Sequence, residues 1–203
     1  MATPKNRVGE IGDIERRLWN YFKYIAGVDE AGRGALAGPV YAGAVILPPF
    51  SNINVKDSKM LKPEEREVLF EKIKEEAICW SYGFANVEEI EKFGILKATL
   101  LAMKRAIESL TVKPEYILVD GNISIPDLDI PQETVIKGDR YCLNVASASI
   151  VAKVLRDRYM RTLDEAYPNY GFGKHKGYAT KEHREKIKSL GILDIHRRSF
   201  RLL

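Results

Sequence analysis

Tyr24-Ile25-Ala26-Gly27-Val28-Asp29-Glu30-Ala31-Gly32-Arg33-Gly34, followed shortly by Val40-Tyr41-Ala42-Gly43-Ala44-Val45-Ile46-Leu47, decides how this chain folds. Tyr24 to Val28 reads as a buried strand that ends on two carboxylates, Asp29 and Glu30. Gly32-Arg33-Gly34 breaks it, and Val40 to Leu47 resumes as a second apolar strand stopped by Pro48-Pro49. The two runs form a hairpin-like return. Upstream, residues 13–22 read as a short amphipathic helix with Asp13 as N-cap and Ile14, Leu18, Tyr21 and Phe22 on one face.

Downstream, strands and helices alternate. Pro63 with Glu64 and Glu65 opens a helix whose stripe is Val68, Leu69, Ile73 and Ala77. Residues 78–86 read as a strand and 95–110 as a helix. Tyr116 to Val119 is a short buried strand running into Asp120-Gly121, and Thr134-Val135-Ile136 is another, ending near Asp139. Residues 144–166 make the longest helix, with Ala148, Ala152, Leu155, Tyr159 and Leu163 at helical spacing. Residues 168–178 read as loop, and a last helix spans about 180–190. The pattern predicts an α/β sheet with at least one antiparallel pair and a small helical C-terminal region.

The chain has 203 residues, 45% hydrophobic and 30% charged, which suits one ordinary domain and excludes a disordered, collagen-like or disulfide-scaffold protein. No apolar run approaches the roughly 20 residues of a membrane span. Met1 to Arg17 carries no hydrophobic signal segment. Cys79 and Cys142 are too few and too isolated for a disulfide framework or a zinc site. A protein of the reducing cytoplasm is expected. The charge is uneven: residues 1–136 hold 17 Lys+Arg against 21 Asp+Glu, whereas residues 137–203 hold 15 against 7. A C-terminal third at net +8 fits contact with a polyanion, and equally a solvated basic surface.

The placement of certain acids is more informative. Asp29, Glu30 and Asp120 end apolar strands, and Asp139 follows Ile136-Lys137-Gly138 in a similar position. Ligands of open α/β sheets bind beyond the carboxyl ends of strands. Carboxylates converging there repel one another unless a divalent cation neutralises them, and hard oxygen donors suit Mg²⁺ or Mn²⁺. Two such ions about 4 Å apart can drive phosphodiester hydrolysis. Singly, each acid could as well cap a turn or pair with a lysine.

The glycines at 32, 34 and 38 do not give the dinucleotide fingerprint, and no helix follows them. A Gly-Arg-Gly loop beside two carboxylates can instead bring backbone close to a sugar-phosphate, with Arg33 as a phosphate fork. Tyr170 to Tyr178 interleaves aromatics, glycines and basic residues. Its rings can pack on bases or sugars, or tuck the loop onto the core.

Gly-Val-Asp-Glu-Ala-Gly-Arg-Gly (27–34), Lys-Asp-Ser-Lys (56–59), Leu-Val-Asp-Gly (118–121), Lys-Gly-Asp (137–139), Ala-Ser-Ile-Val-Ala-Lys-Val-x-Arg-Asp (148–157) and His-Lys-Gly-Tyr-Ala-Thr-Lys-Glu-His (175–183) together resemble bacterial type 2 ribonuclease H, ribonuclease HII, in the family's order from about residue 24 to 200. The resemblance implies a ribonuclease H-like fold, a mixed five-stranded sheet flanked by helices. It implies a catalytic domain over 1–166 and a short basic substrate-binding region over 167–203. The implied activity is an endonuclease that cuts the RNA strand of RNA–DNA hybrids and cuts 5′ of ribonucleotides embedded in duplex DNA, leaving 3′-hydroxyl and 5′-phosphate ends. That places it in primer removal and ribonucleotide excision, acting as a monomer.

By motif position, Asp29, Glu30, Asp120 and Asp139 are the catalytic carboxylates and hold up to two Mn²⁺ or Mg²⁺ ions. Gly32, Arg33 and Gly34 sense the ribose 2′-hydroxyl, and Tyr178 packs against the adjacent deoxyribose. Lys56, Lys59, Lys174 and Lys176 are expected to contact phosphates. Asp157 is expected to form an ion pair with Lys153, and His175, His183 and His196 to be loop or surface residues rather than a general base. Some relatives dock on a sliding clamp through a longer C-terminal tail; the ending Ser199-Phe200-Arg201-Leu202-Leu203 predicts no such docking here. A non-catalytic hybrid-binding protein and a junction resolvase or integrase-like nuclease of the same fold are the rival readings.

Overall fold

The structure, a computed structural model, describes residues 10–55 and 61–203. Lys56 and Lys59 lie outside the described residues. Five strands form one mixed sheet: β1 (Ile25–Ala31), β2 (Val40–Ile46), β3 (Cys79–Ala85), β4 (Tyr116–Asp120) and β5 (Gln132–Val135), in the order β3-β2-β1-β4-β5. β1 pairs antiparallel with β2 and β2 with β3, while β1–β4 and β4–β5 are parallel. The expected mixed sheet is therefore present, with the hairpin-like return as its antiparallel half.

Strand alternation sorts the core onto two faces. Ala26 and Val28 of β1, with Val40, Ala42, Ala44 and Ile46 of β2, pack against α4 (Ile95–Glu108). Val45 and Leu47 pack on the other face with α6 (Leu143–Ala166) and α2 (Pro63–Glu76). The axis of α6 lies close over β1 and β2 because Gly27 and Gly43 have no side chain. A Cβ at Gly27 would run into the backbone of Asn144 and Val145, and one at Gly43 into the carbonyl of Ala148. The strand glycines thus set the helix–sheet spacing that places α6 beside the end of β1.

Several expectations are corrected. The first helix, α1, covers only Asp13–Leu18, with Gly12 at φ 90° as its N-cap. Asp13 instead pairs with Arg16 at 2.5 Å, and Tyr21 is exposed rather than on the apolar face. In α2, Phe70 is buried and Val68 exposed. A further helix, α3 (Val87–Phe93), stands after β3, capped by Asn86. Ile136 lies beyond β5, and Asp139 sits on a helical turn, α5 (Gly138–Tyr141), rather than at a strand end. Residues 168–178 contain one helical turn, α7 (Phe172–His175), before α8 (Lys181–Leu190).

Candidate active site

β1 and β4 run parallel with Val28 opposite Val119. One step further along each strand stand Asp29 and Asp120, on the face shared with Gly27 and Leu118, which is the face α6 covers. Parallel pairing therefore brings two acids 91 residues apart to one sheet edge. Oxygens of Asp29, Glu30 and Asp120 come within 4.8 Å of one another, the only such acidic trio among the described residues. Asp139 is not part of the trio. It is buried on α5 and joined to it through Gly138, whose N–H donates to Asp120 Oδ1 at 2.7 Å.

Burial, then the charges of Asp120 and Glu30, hold the Asp29 carboxyl well above the usual range. The Ser149 hydroxyl and the Glu30 N–H, the latter 2.7 Å from Asp29 Oδ1, offset part of this. Burial and Asp120 also raise Glu30, against the opposing charge of Arg33 at 3.8 Å. Such mutual repulsion is what a divalent cation relieves, and the donors are all hard oxygens. The residues fit a Mg²⁺- or Mn²⁺-type centre.

Beside the trio opens a cleft of about 340 Å³ lined by Glu30, Ala31, Gly32, Arg33, Gly34, Arg66, Ser149, Ile150, Lys153 and Tyr178. The Gly-Arg-Gly loop and Tyr178, distant in sequence, thus face one space. Ala35 and Tyr178 form an isolated antiparallel bridge, and Leu36 N–H donates to the Gly177 carbonyl at 2.7 Å. Arg33 and Gly34 are exposed, and a side chain at Gly34 would meet open space. Arg66, Ser149 and Lys153 were missed as site residues. The i, i+4 spacing of Ser149 and Lys153 within the 148–157 motif was the available signal.

The remaining sequence candidates separate. Asp157 pairs with Lys153 at 2.6 Å and lies 3.8 Å from Arg66, as the ion-pair reading expects. Lys174 engages Glu182 at 2.6 Å and Lys176 donates to the Gly173 carbonyl; neither lines the cleft. Tyr170 and Phe172 are buried, so of the three aromatics in that segment only Tyr178 faces the cleft.

The histidines are not loop or surface residues. His175, His183 and His196 are buried and packed around Phe172. His175 and His183 stack with centroids 4.2 Å apart. Leu193 N–H donates to His196 Nδ1 at 2.8 Å, leaving His196 Nε2 to donate to His183 Nε2 at 3.2 Å. His183 Nδ1 then donates to the Tyr178 carbonyl at 2.9 Å. Burial pushes all three rings down, His183 to about 4, so the cluster is neutral at pH 7 and each ring has one donor and one acceptor nitrogen.

Residues 26–203 match the family model described as Ribonuclease HII. The chain belongs to the ribonuclease HII family. It is 50% identical over 188 residues to ribonuclease HII of Desulfitobacterium hafniense (strain Y51), covering 92% of this chain and 72% of that one. The crystal structure of ribonuclease H2 from Pyrococcus horikoshii OT3 superposes with a TM-score of 0.76 at 28% identity, over 88% of this chain and 94% of that one. The ribonuclease HII of Archaeoglobus fulgidus, solved in complex with PCNA, gives a TM-score of 0.68 at 28% identity, over 86% and 92%. As a ribonuclease HII, the protein is a hydrolase, an endonuclease acting on the RNA strand of RNA–DNA hybrids, of a family that uses divalent metals. No helix among the described residues is long and apolar enough to cross a membrane.

Proposed function

We propose that this ribonuclease HII cuts duplex DNA on the 5′ side of an embedded ribonucleotide, as well as the RNA of longer hybrids, leaving 3′-hydroxyl and 5′-phosphate ends. The observation that carries this is a cleft lined by the Gly32–Gly34 loop, Tyr178 and Glu30, the last a member of the acidic trio. Asp29, Glu30 and Asp120, with Asp139 from α5, hold up to two Mg²⁺ or Mn²⁺ ions. When bound, such ions supply Lewis acidity at the scissile phosphate and lower the pKa of the attacking water.

The chain's own groups orient the substrate. Gly34 leaves room for the backbone to approach a ribose 2′-hydroxyl, and Arg33 offers a fork to a phosphate. Tyr178 packs on the following deoxyribose. Lys153 and Arg66 on the cleft wall take flanking phosphates, while Lys174 and Lys176, which do not line the cleft, contact the duplex further out. Lys56 and Lys59, outside the described residues, are further candidate phosphate contacts. Residues 1–166 supply the chemistry and 167–203 the substrate-binding segment. The enzyme acts as a monomer on this reading, in the cytoplasm, which the two free, buried thiols suit.

The test is cleavage of a duplex with one ribonucleotide, with and without Mg²⁺ or Mn²⁺, beside an all-DNA junction. Product only from the ribonucleotide duplex, only with metal, is expected. Intact substrate under all conditions would leave a hybrid-binding protein, and cutting of the junction a different nuclease. Tyr178→Phe should cost at most a few-fold and Tyr178→Ala about tenfold or more, as loss of a stacked ring does. The reverse order would assign the role to the hydroxyl.

A further inference from the structure

Two arginines are buried directly behind the Gly-Arg-Gly loop, and among the described residues no carboxylate hydrogen-bonds to either. Arg156, from α6, donates Nε to the Pro39 carbonyl at 3.0 Å and Nη2 to that of Ala37 at 3.2 Å. Its Nη1 reaches the Lys176 carbonyl at 2.9 Å, two residues before Tyr178, and its guanidinium lies 5.2 Å from the Tyr178 ring centre. The same guanidinium fills the space that a side chain at Gly32, φ 90°, would need. Arg197 approaches from the C-terminal segment. Its Nε donates to the Gly38 carbonyl at 2.9 Å and Nη1 to that of Arg33 at 3.0 Å, while its own N–H donates to Leu36 at 2.8 Å.

Burying two like charges side by side is costly, and Nη2 of Arg197 finds no hydrogen-bond partner among the described residues. A loop that needed only shape could be held by apolar packing at lower cost. What the guanidiniums add is direction: carbonyls 33, 37, 38 and 39 turn inward to the two cations. Among the described residues, no hydrogen bond is donated by the backbone N–H of Gly32, Arg33 or Gly34, all three of which border the cleft. Arg156 also joins the chain after the Gly-Arg-Gly loop to the chain just before Tyr178, since one side chain binds the carbonyls of residues 37 and 39 and that of residue 176.

We propose that Arg156 and Arg197 are positioning residues for ribose discrimination: without touching substrate, they fix the Gly32–Gly34 loop against Tyr178 and keep its backbone donors turned to the cleft. This rests on the reading of that loop and Tyr178 given above. Lysine at either position keeps the charge but gives a single point donor in place of a rigid fork bridging several carbonyls.

The experiment uses the full chain and a hybrid whose RNA run ends in DNA. It compares Arg156→Lys, Arg197→Lys and Tyr178→Ala with the parent and reads where the RNA strand is cut. Mn²⁺ affinity and the melting temperature are measured beside it. In both lysine variants the ratio of cuts at the RNA–DNA junction to cuts inside the RNA run should fall about tenfold, the scale expected when bridging hydrogen bonds are lost, while Mn²⁺ affinity is kept. General loss of stability would lower both cuts together and leave the ratio unchanged. If Tyr178→Ala shifts the ratio and folded lysine variants do not, the positioning role is overturned. If Tyr178→Ala leaves the ratio unmoved as well, the underlying reading of the cleft fails instead. Should Arg156→Lys not fold, Arg197→Lys decides from the other side of the loop.

Discussion

Asp29, Glu15 and Asp157 are all buried on or against α6, and their surroundings differ. Asp29 lies among other carboxylates at the sheet edge, with burial and two negative neighbours raising it. Glu15, on α1, lies at the other end of the contact, where its Oε1 accepts from Asn144 N–H at 2.9 Å in the first turn of the helix. Burial alone pushes it up to about 7, and its Oε2 has no hydrogen-bond partner among the described residues. Asp157 has two cations, Lys153 and Arg66. Burial is common to all three, so burial does not make a site. Convergence with other carboxylates beside a cleft does, because only there does adding a cation remove a standing repulsion.

The sharpest way to break this contrast is at Asp29. Asp29→Asn should lower cleavage of a one-ribonucleotide duplex by on the order of 10³-fold with duplex binding retained, as removal of a catalytic-centre ligand does. Full activity with Mg²⁺ or Mn²⁺ would remove the trio from the chemistry.

Glu15 tests the opposite case through stability. Its folded pKa of about 7 stands above the ordinary 4.5, so the folded state disfavours the charged form. Between those two pH values the unfolded chain ionises while the folded one stays protonated, so stability falls as pH rises through the window, by about 3 kcal/mol in all. Glu15→Gln keeps an acceptor for Asn144 and should abolish that fall. Denaturant unfolding of parent and variant should agree at pH 4 and diverge by pH 8 in favour of the variant, with activity unchanged. A parent profile parallel to the variant's would mean that Glu15 is not buried as described.

The smallest effect belongs to Asp157. Asp157→Asn should cost about 1–2 kcal/mol of stability, as for a partly buried ion pair, and slow cleavage a few-fold by freeing Lys153 and Arg66 on the cleft wall. A loss as deep as that of Asp29→Asn would make Asp157 part of the metal centre after all.

What the sequence disclosed follows the range of the interactions involved. Strand-end acids were legible at Asp29 and Asp120 because an apolar run fixes a strand and its last residue locally, and parallel pairing does the rest. Asp139 was found by motif, but its setting on a helical turn was not, since the backbone after β5 turns at Lys137, φ 59°. The basic C-terminal third was read as a polyanion contact or a solvated surface, yet Arg156 and Arg197 face inward to carbonyls more than a hundred residues away. The buried histidines were missed for another reason: their partners lie close in sequence but are backbone groups, the carbonyls of Tyr170 and Tyr178 and the N–H of Leu193, and no residue type announces a backbone group.

Arg197 also ties the two ends of the molecule's history together. The ribosome releases the Gly-Arg-Gly loop well before the residue that pins it, more than 160 residues downstream, so a partly made chain holds the Asp29, Glu30 and Asp120 trio before that loop is anchored. On the role proposed for Arg197, cutting and the choice of where to cut would then mature at different moments of synthesis, choice arriving only once the segment that carries Arg197 has emerged.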